Sequence, residues 1–495
     1  MHQSPAPLEE ATSRRKPTSR RNPDGVDFVV VANRLPLEYT SVPSDGEWKP
    51  SPGGLVSALT AVLQKRNGLW IGWTGGSDRM TPPPSFEGMG LRAIEITAQE
   101  YEDFYLGFSN ATLWPLYHDA IRAPAFHRSW WQAYQRINLR YATAVAESVA
   151  QGGTVWIHDY QLQLVPQMLR RLRPDVRIGF FVHIPFPPRE LFMQLPWRRE
   201  ILTGLMGADL VGFQVPLAAA NFSRMARRML GATGTDAALQ YDGREIRVGA
   251  FPISVDVAHI NEMVQSPEIR ARAKEIRQEL GNPELVLLGV DRLDYTKGIL
   301  QRTRALSELF ADGVLTPGKD VMVQVAVPSR ETDAHYERER HLLEQAVSQM
   351  NGDHGLLGSP AIHYLHQNMP FDELLALYLA ADIMIVTPFR DGMNLVAKEY
   401  VMAHADLTGR LVLSEFAGAA SELRGAFIVN PHDLDGLKDG IKSAVRVGTK
   451  EARSRMSRMR RKIASRDVYD WANAFLTALD QSSSSAAVAS RDRSA

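Results

Sequence analysis

The sequence predicts an α/β protein of two domains, each built on a parallel sheet, with both sheets facing a shared interdomain cleft. Three observations lead there. The chain has 495 residues, enough for two domains of roughly 200 to 250 residues each. Short apolar runs rich in β-branched residues alternate with stretches of helical period, the mark of parallel strands buried on both faces. That alternation stops and restarts after Phe251, so a second sheet follows the first.

Taken in order, Asp27 to Ala32 is a continuous apolar run after its first residue, and the helical pattern Gly54 to Gln64 follows it. Val155 to Ile157 then leads into Leu162 to Leu172, and Arg177 to Val182 into the helical region Glu190 to Met206. In the second half the pairs are Leu285 to Val290 with Ile299 to Phe310, and Val321 to Val327 with Asp333 to Met350. Ile362 to Leu365 with Phe371 to Ala380, Ile383 to Val386 with Leu395 to Ala405, and a last strand at Leu411 to Leu413 complete it. The first sheet is assigned to residues 26–255 and the second to 256–466. A helix at 467–481, with Trp471 and Phe475 at helical spacing, is expected to pack back across the first domain. Residues 1–25, rich in Pro, Ser and Arg, and 482–495, which open on four serines, are expected to be disordered tails.

Composition removes several function classes. Lys plus Arg and Asp plus Glu both number 56, so no global field draws the chain to nucleic acid or to an anionic membrane. There are no cysteines, which excludes disulfides, thiolate metal sites and thiol nucleophiles and points to the cytoplasm. No apolar run reaches the ~18 residues of a membrane span. The longest candidate, Leu374 to Val386, is interrupted by Asp382. The basic N-terminus has no apolar segment after it, so it does not read as a secretory signal.

Ligands of parallel sheets lie outside the carboxyl ends of the strands, so chemistry is sought there. The first strand delivers Arg34, and Ser51-Pro-Gly-Gly54 opens the next helix. Gly53 and Gly54 serve either as a tight turn or as an anion cradle of free N–H groups. His158-Asp159 and His183 end the next two strands. They suit acid–base work, a metal pair or sugar-hydroxyl recognition; no spacing supplies three metal ligands, which favours the sugar. Arg292 and Lys297 share one loop and can hold a diphosphate; Arg330 ends the next strand. Asp391 is either a helix N-cap or a ligand group. Were the helix to start near Gly392, Glu399 would stand eight residues and ~12 Å from Asp391, a nucleotide-sugar's length. A retaining glycosidase pair is only ~5 to 5.5 Å apart. Tyr105 and Trp114 are sugar platforms or core rings. Asp433-Leu-Asp435 has the form of a metal-binding D-x-D but sits among turn residues, and no metal site is assigned.

These residues together resemble the trehalose-6-phosphate synthases of glycosyltransferase family 20. The matching stretches are Val31 to Arg34, Gly53-Gly54, Phe108 to Pro115, Trp156 to Tyr160, His183 to Pro187, Asp291 to Gly298, Pro328 to Arg330, Arg390 to Tyr400 and Glu415 to Ala420. The resemblance implies the GT-B fold of two Rossmann-like domains. It implies retaining transfer of glucose from a nucleoside-diphosphate glucose to O1 of glucose 6-phosphate, giving α,α-trehalose 6-phosphate. Arg34, Tyr105, Trp114, Asp159 and Arg330 would hold the acceptor, the two arginines taking its phosphate. Gly53, Gly54, His183, Arg292, Lys297, Asp391, Leu395, Val396, Ala397, Lys398 and Glu399 would hold the donor, Glu399 at the ribose. Arg292, Lys297, Asp159, His183 and Asp391 would carry catalysis. The resemblance implies no cofactor and a homo-oligomer, a dimer or tetramer. Gln161 and Pro188-Arg189 depart from the family pattern, beside no assigned contact.

No carboxylate in the sequence presents itself as a covalent nucleophile, which suggests front-face attack with the leaving phosphate oxygen taking the acceptor proton. Two other readings stand beside it: a sucrose-phosphate or glycogen-type synthase, and a catalytically silent regulatory subunit. Arg34 with Arg330 favours a phosphorylated acceptor over a glucan end.

Overall fold

The computed structural model describes residues 25–40, 47–50, 56, 59, 60, 62, 63, 66, 68–76, 81–330 and 334–491. Residues 1–24 of the expected N-terminal tail, the pair Gly53-Gly54 and residues 492–495 lie outside the described residues.

The first domain carries β1 (Val26–Arg34), β2 (Leu37–Thr40), β3 (Glu47–Pro50), β4 (Leu69–Trp73), β5 (Ser85–Phe86) and β6 (Met89–Ile94). It continues with β7 (Val149–His158), β8 (Arg177–Val182), β9 (Leu210–Phe213), β10 (Thr233–Gly234), β11 (Ala238–Tyr241) and β12 (Arg244–Ala250). β2 and β3 form a separate hairpin; the rest make one sheet ordered β10-β11-β12-β9-β8-β7-β1-β4-β6-β5. Its centre is parallel, with β1 between β4 and β7. Val29, Val30 and Val31 of β1 are fully buried, as a strand covered on both faces requires. The chain winds outward from β1 in both directions, so the ends of β1 and β7 flank a topological switch point.

The second domain carries β13 (Leu285–Arg292), β14 (Asp320–Val327), β15 (Ile362–Leu365), β16 (Ile383–Val386), β17 (Arg410–Ser414) and β18 (Phe427–Val429). The order is β15-β14-β13-β16-β17-β18, parallel throughout. Counted within the domain this is 3-2-1-4-5-6, the order of dinucleotide-binding sheets, whose crevice opens where the winding reverses. Here that is between β13 and β16. The two sheets have the GT-B arrangement expected from the sequence.

Several elements escape the sequence reading. β4, β6, β9 and β12 are short and broken by Gly or Arg, which blurs their apolar signal. The helical region Glu190 to Met206 is two helices, Arg189–Phe192 and Arg198–Leu205, because Pro196 between them cannot continue the first. Residues Tyr101–Leu113 form a π-helix, a widened winding that no periodicity rule anticipates.

The final helix, Val468–Arg491, is tied at its start to the crossover between domains. Val468 N–H donates to Val255 O at 3.2 Å, and Tyr469 Oη to Asp256 Oδ2 at 2.9 Å. Phe475 stacks on Trp156 with centroids 4.8 Å apart. It rests on Gly179 of β8 and Gly212 of β9, where an added Cβ would stand 2.7 Å from the ring, so the docking requires glycine on both strands. The helix bounds extend to Arg491, past the expected tail boundary at Ser482.

The domains meet where Gly392 abuts the His183 carbonyl. A Cβ there would lie 2.1 Å from that oxygen.

Candidate active site

β1 brings Arg34 to the cleft, its guanidinium 5.2 Å from the Trp73 ring and 5.8 Å from Tyr105. Tyr105 projects from the π-helix toward three cations. Burial alone would raise its phenol, but Arg34, Arg330 and Arg292 together hold it below the ordinary value. Trp114, one residue past the π-helix, carries two of these cations, Arg330 at 4.3 Å and Arg292 at 5.2 Å from its ring. One ring of the first domain thus bears guanidiniums from two loops of the second.

The ends of β7 and β8 lie side by side. Asp159 takes φ 72°, and its Oδ1 accepts the His183 N–H at 3.1 Å. Burial pushes its carboxyl up to about 6. Gln214 Oε1 accepts the Ile253 N–H at 2.9 Å, so the Gln214 amide nitrogen must be the donor facing His183 Nδ1 at 3.3 Å. His183 then carries its proton on Nε2 and gives it to His158 Nδ1 at 3.1 Å. Burial pulls the His183 imidazole down to about 3, and the ring stays neutral at physiological pH. Both of its nitrogens are engaged by protein, so a sugar hydroxyl reaching Nε2 must displace His158.

The second domain supplies Lys297 and Asp391, joined by a 2.6 Å ion pair at the β13–β16 switch point. Burial would raise the Asp391 carboxyl, but Lys297 above all keeps it below its usual range. Asp391 also accepts from Asn394 Nδ2 at 3.2 Å. The N-cap alternative for Asp391 is set aside, because Asn394 caps the helix Leu395–Ala403, its Oδ1 accepting the Ala397 N–H at 2.9 Å. The helix therefore starts three residues later than the Gly392 start supposed from the sequence. Glu399 Oε2 accepts from Tyr378 Oη at 3.1 Å, and burial pushes its carboxyl up to about 7.

Arg330 adopts φ 53° and is gripped by Tyr336 Oη, by Asp294 Oδ2 at 3.5 Å and by Tyr160 Oη at 3.4 Å. Asp294 is fully enclosed. Burial opposes its charge, but Arg330, Arg292 and Lys297 bring its carboxyl to about 2, so it is an anionic strut that aims the cations around it.

Glycosyltransferase family 20 matches residues 26–481. A trehalose-6-phosphate synthase of Mycolicibacterium smegmatis is 54% identical over 464 residues, covering 92% of each chain. The chain belongs to glycosyltransferase family 20. Solved structures agree in shape. An α,α-trehalose-phosphate synthase (UDP-forming) of Burkholderia xenovorans in complex with glucose-6-phosphate gives a TM-score of 0.84 at 32% identity, covering 92% of this chain and 99% of that one. An E. coli structure with UDP-2-fluoro glucose bound gives 0.84 at 33%, with the same coverage.

Within this family 20 chain, Arg34, Tyr105, Trp114, Arg292 and Arg330 converge on one space, with Asp159 and His183 on the first-domain side and Lys297 and Asp391 on the second, while Glu399 bonds Tyr378 within the second domain. Leu395 and Val396 occupy the first turn of the capped helix, where N–H groups have no intrahelical partner. At two of the expected donor residues, Ala397 and Lys398, one polar group already has a protein partner. The Ala397 N–H is taken by Asn394. The Lys398 ammonium turns away to Ile253 O at 2.7 Å and Glu422 at 2.6 Å, because a helix side chain follows its own face. Asp433 of the D-x-D caps the next helix, accepting the Gly436 N–H at 3.0 Å. Among the described residues no group of three or more His, Asp or Glu stands together as a metal cluster, and no helix is long and apolar enough to cross a membrane. Sequence reasoning missed Asp294, Gln214 and Asn394. Asp294 stood inside the quoted Asp291-to-Gly298 stretch, three residues before Lys297.

Proposed function

We propose that this protein moves glucose, with retention, from a nucleoside-diphosphate glucose to O1 of glucose 6-phosphate, forming α,α-trehalose 6-phosphate. The observation that carries this reading is the Trp114 platform, which holds Arg292 and Arg330 against one ring. Arg330 with Arg34 suits the acceptor phosphate, and Arg292 with Lys297 suits the donor diphosphate, so the two phosphate subsites adjoin. The neighbours solved as a UDP-forming enzyme and with UDP-2-fluoro glucose put UDP-glucose first among the donors to try.

In this reading residues 26–255 form the acceptor domain and 256–466 the donor domain, with Arg330 reaching across to the acceptor phosphate and His183 to the donor. The two arginines and the Tyr105 and Trp114 rings fix glucose 6-phosphate, and Asp159 accepts from its hydroxyls. Asp391, held anionic by Lys297, meets the donor glucose, the Leu395 and Val396 N–H groups meet the phosphates and Glu399 meets the ribose. Asp391 is paired with Lys297 and Asp159 holds the His183 N–H, and this reading gives neither a glycosyl ester. Attack then comes from the face the diphosphate leaves. The bond from the anomeric carbon to the phosphate oxygen breaks, acceptor O1 bonds to that carbon, and the departing phosphate oxygen takes the O1 proton. Arg292 and Lys297 stabilise the charge that gathers there, and positioning supplies most of the rest. The protein acts in the cytoplasm as a homo-oligomer, without cofactor.

The test mixes purified protein with glucose 6-phosphate and, separately, UDP-, ADP- and GDP-glucose, following diphosphate release and a disaccharide phosphate by mass. An α,α-linked product is expected. Donor binding with no product from any of the three would return the regulatory-subunit reading.

A further inference from the structure

In the second domain, lined by none of the residues assigned to the cleft, lies a cavity of about 340 Å³ bordered by Ser421, Glu422, Arg424, Arg458 and Lys462 among others. That volume suits a small metabolite. Its charge is unbalanced. Glu422 is committed to Lys398 at 2.6 Å, whereas the side chains of Arg424, Arg458 and Lys462 have no hydrogen-bond or ion-pair partner among the described residues. Two forked guanidiniums and an ammonium around one hollow match a phosphate better than any neutral ligand.

The wall of this cavity continues as a chain of polar contacts into the cleft. Glu422 bonds Lys398, and Lys398 Nζ donates to Ile253 O at 2.7 Å. Ile253 lies in the crossover between the domains, and its own N–H donates to Gln214, which donates in turn to His183. The residue after Lys398 is Glu399. One buried lysine therefore ties the cavity, through Ile253 and Gln214, to His183.

We propose that this cavity binds a small phosphate-bearing anion, and that the bound anion strengthens the hold of Lys398 on Ile253 and so favours donor binding. Burial disfavours charge on Lys398, and the nearby Lys462 adds to that. An anion that offsets Lys462 lets the Lys398 ammonium grip Glu422 and Ile253 more firmly.

Pyrophosphate is the probe, titrated calorimetrically into full-length wild type and into Arg424→Glu/Arg458→Glu. The cleft is common to both, so the cavity is read as their difference. Wild type is expected to show one more site per chain, weakened at least tenfold in the variant, with Lys462→Gln intermediate. Equal stoichiometry and affinity in all three would overturn the site. The kinetic arm rests on the glucosyl-transfer reading. With pyrophosphate present, the donor KM of wild type should fall at least twofold below that of the variant, and the two should match without it. Unchanged relative KM would overturn the coupling. The calorimetry needs no turnover, so failure of the function reading and failure of the site remain distinct results.

Discussion

Lys297 Nζ stands 2.6 Å from Asp391 Oδ2, closing an ion pair between the loop leaving β13 and the loop leaving β16. The pair spans the point where the strand order of the second sheet reverses. Only there do two neighbouring strand ends diverge enough to admit a ligand while their loops still touch. Lys297 is thereby shared between a protein carboxylate and the diphosphate proposed to leave beside it.

Replacing Lys297 with Ala should lower kcat by about 10²–10³, the usual effect of removing one charged group aimed at a leaving oxyanion. Arg292→Ala should do the same. Lys297→Ala also strands a buried carboxylate, so its unfolding midpoint should drop, whereas that of Arg292→Ala, exposed in the cleft, should hold. Near-normal turnover in both variants would remove them from the chemistry.

Trp114→Leu removes the ring under Arg330 and Arg292 at once. Each cation–π contact contributes about 0.5–2 kcal/mol, so loss of the one under Arg330 should raise the KM for glucose 6-phosphate about 2- to 30-fold. Donor affinity should weaken in the same variant. A rise confined to one substrate would show that the ring serves one arginine alone.

Glu399 titrates at about 7 because burial opposes its charge. Above that pH the carboxylate is charged and suited to the ribose hydroxyls proposed to meet it; below it the native protein holds the proton and the acceptor is weaker. Donor KM should therefore rise as pH falls from 8 to 6, approaching tenfold per unit well below 7. Glu399→Gln should flatten the profile, and a profile identical to wild type would exclude Glu399 as its source.

Gln214→Leu deletes the donor that leaves His183 Nδ1 unprotonated. The nitrogen-15 signals of the His183 ring should shift from a single tautomer toward a mixture. Donor kcat/KM should fall about tenfold while the KM for glucose 6-phosphate stays near wild type. An unaltered ring spectrum would show that His158 alone sets the tautomer.

Phe475→Ala empties the space over Gly179 and Gly212. A loss of about 3–5 kcal/mol is expected, read as a lower unfolding midpoint in denaturant. A smaller shift would mean that the neighbouring Trp471 or the strands collapse into the gap.

Much of this was legible along the chain. Runs such as Asp27 to Ala32 and Leu285 to Val290 mark buried parallel strands because nothing polar interrupts them, and the residues just after such strands are where crevices open. Arg34, Asp159, His183, Arg292, Arg330 and Asp391 were singled out by that rule, and the structure draws the three arginines to the Tyr105 and Trp114 rings. Elements with mixed composition were not: β6 reads Met-Gly-Leu-Arg-Ala-Ile, and the π-helix bearing Tyr105 has no distinctive period.

Local sequence decides which strands form and which residues stand at their ends, because burial period and chain breakers act over a few neighbours. It cannot decide which side chains share a partner. Trp114 lies 178 positions before Arg292 and 216 before Arg330, yet one ring meets both. Lys398 sits among residues proposed to face the donor but turns to Ile253. Gln214 acquires a role only because the crossover passes its amide. Such contacts arise when two separately folded sheets are docked, and docking depends on shape and charge across a whole surface.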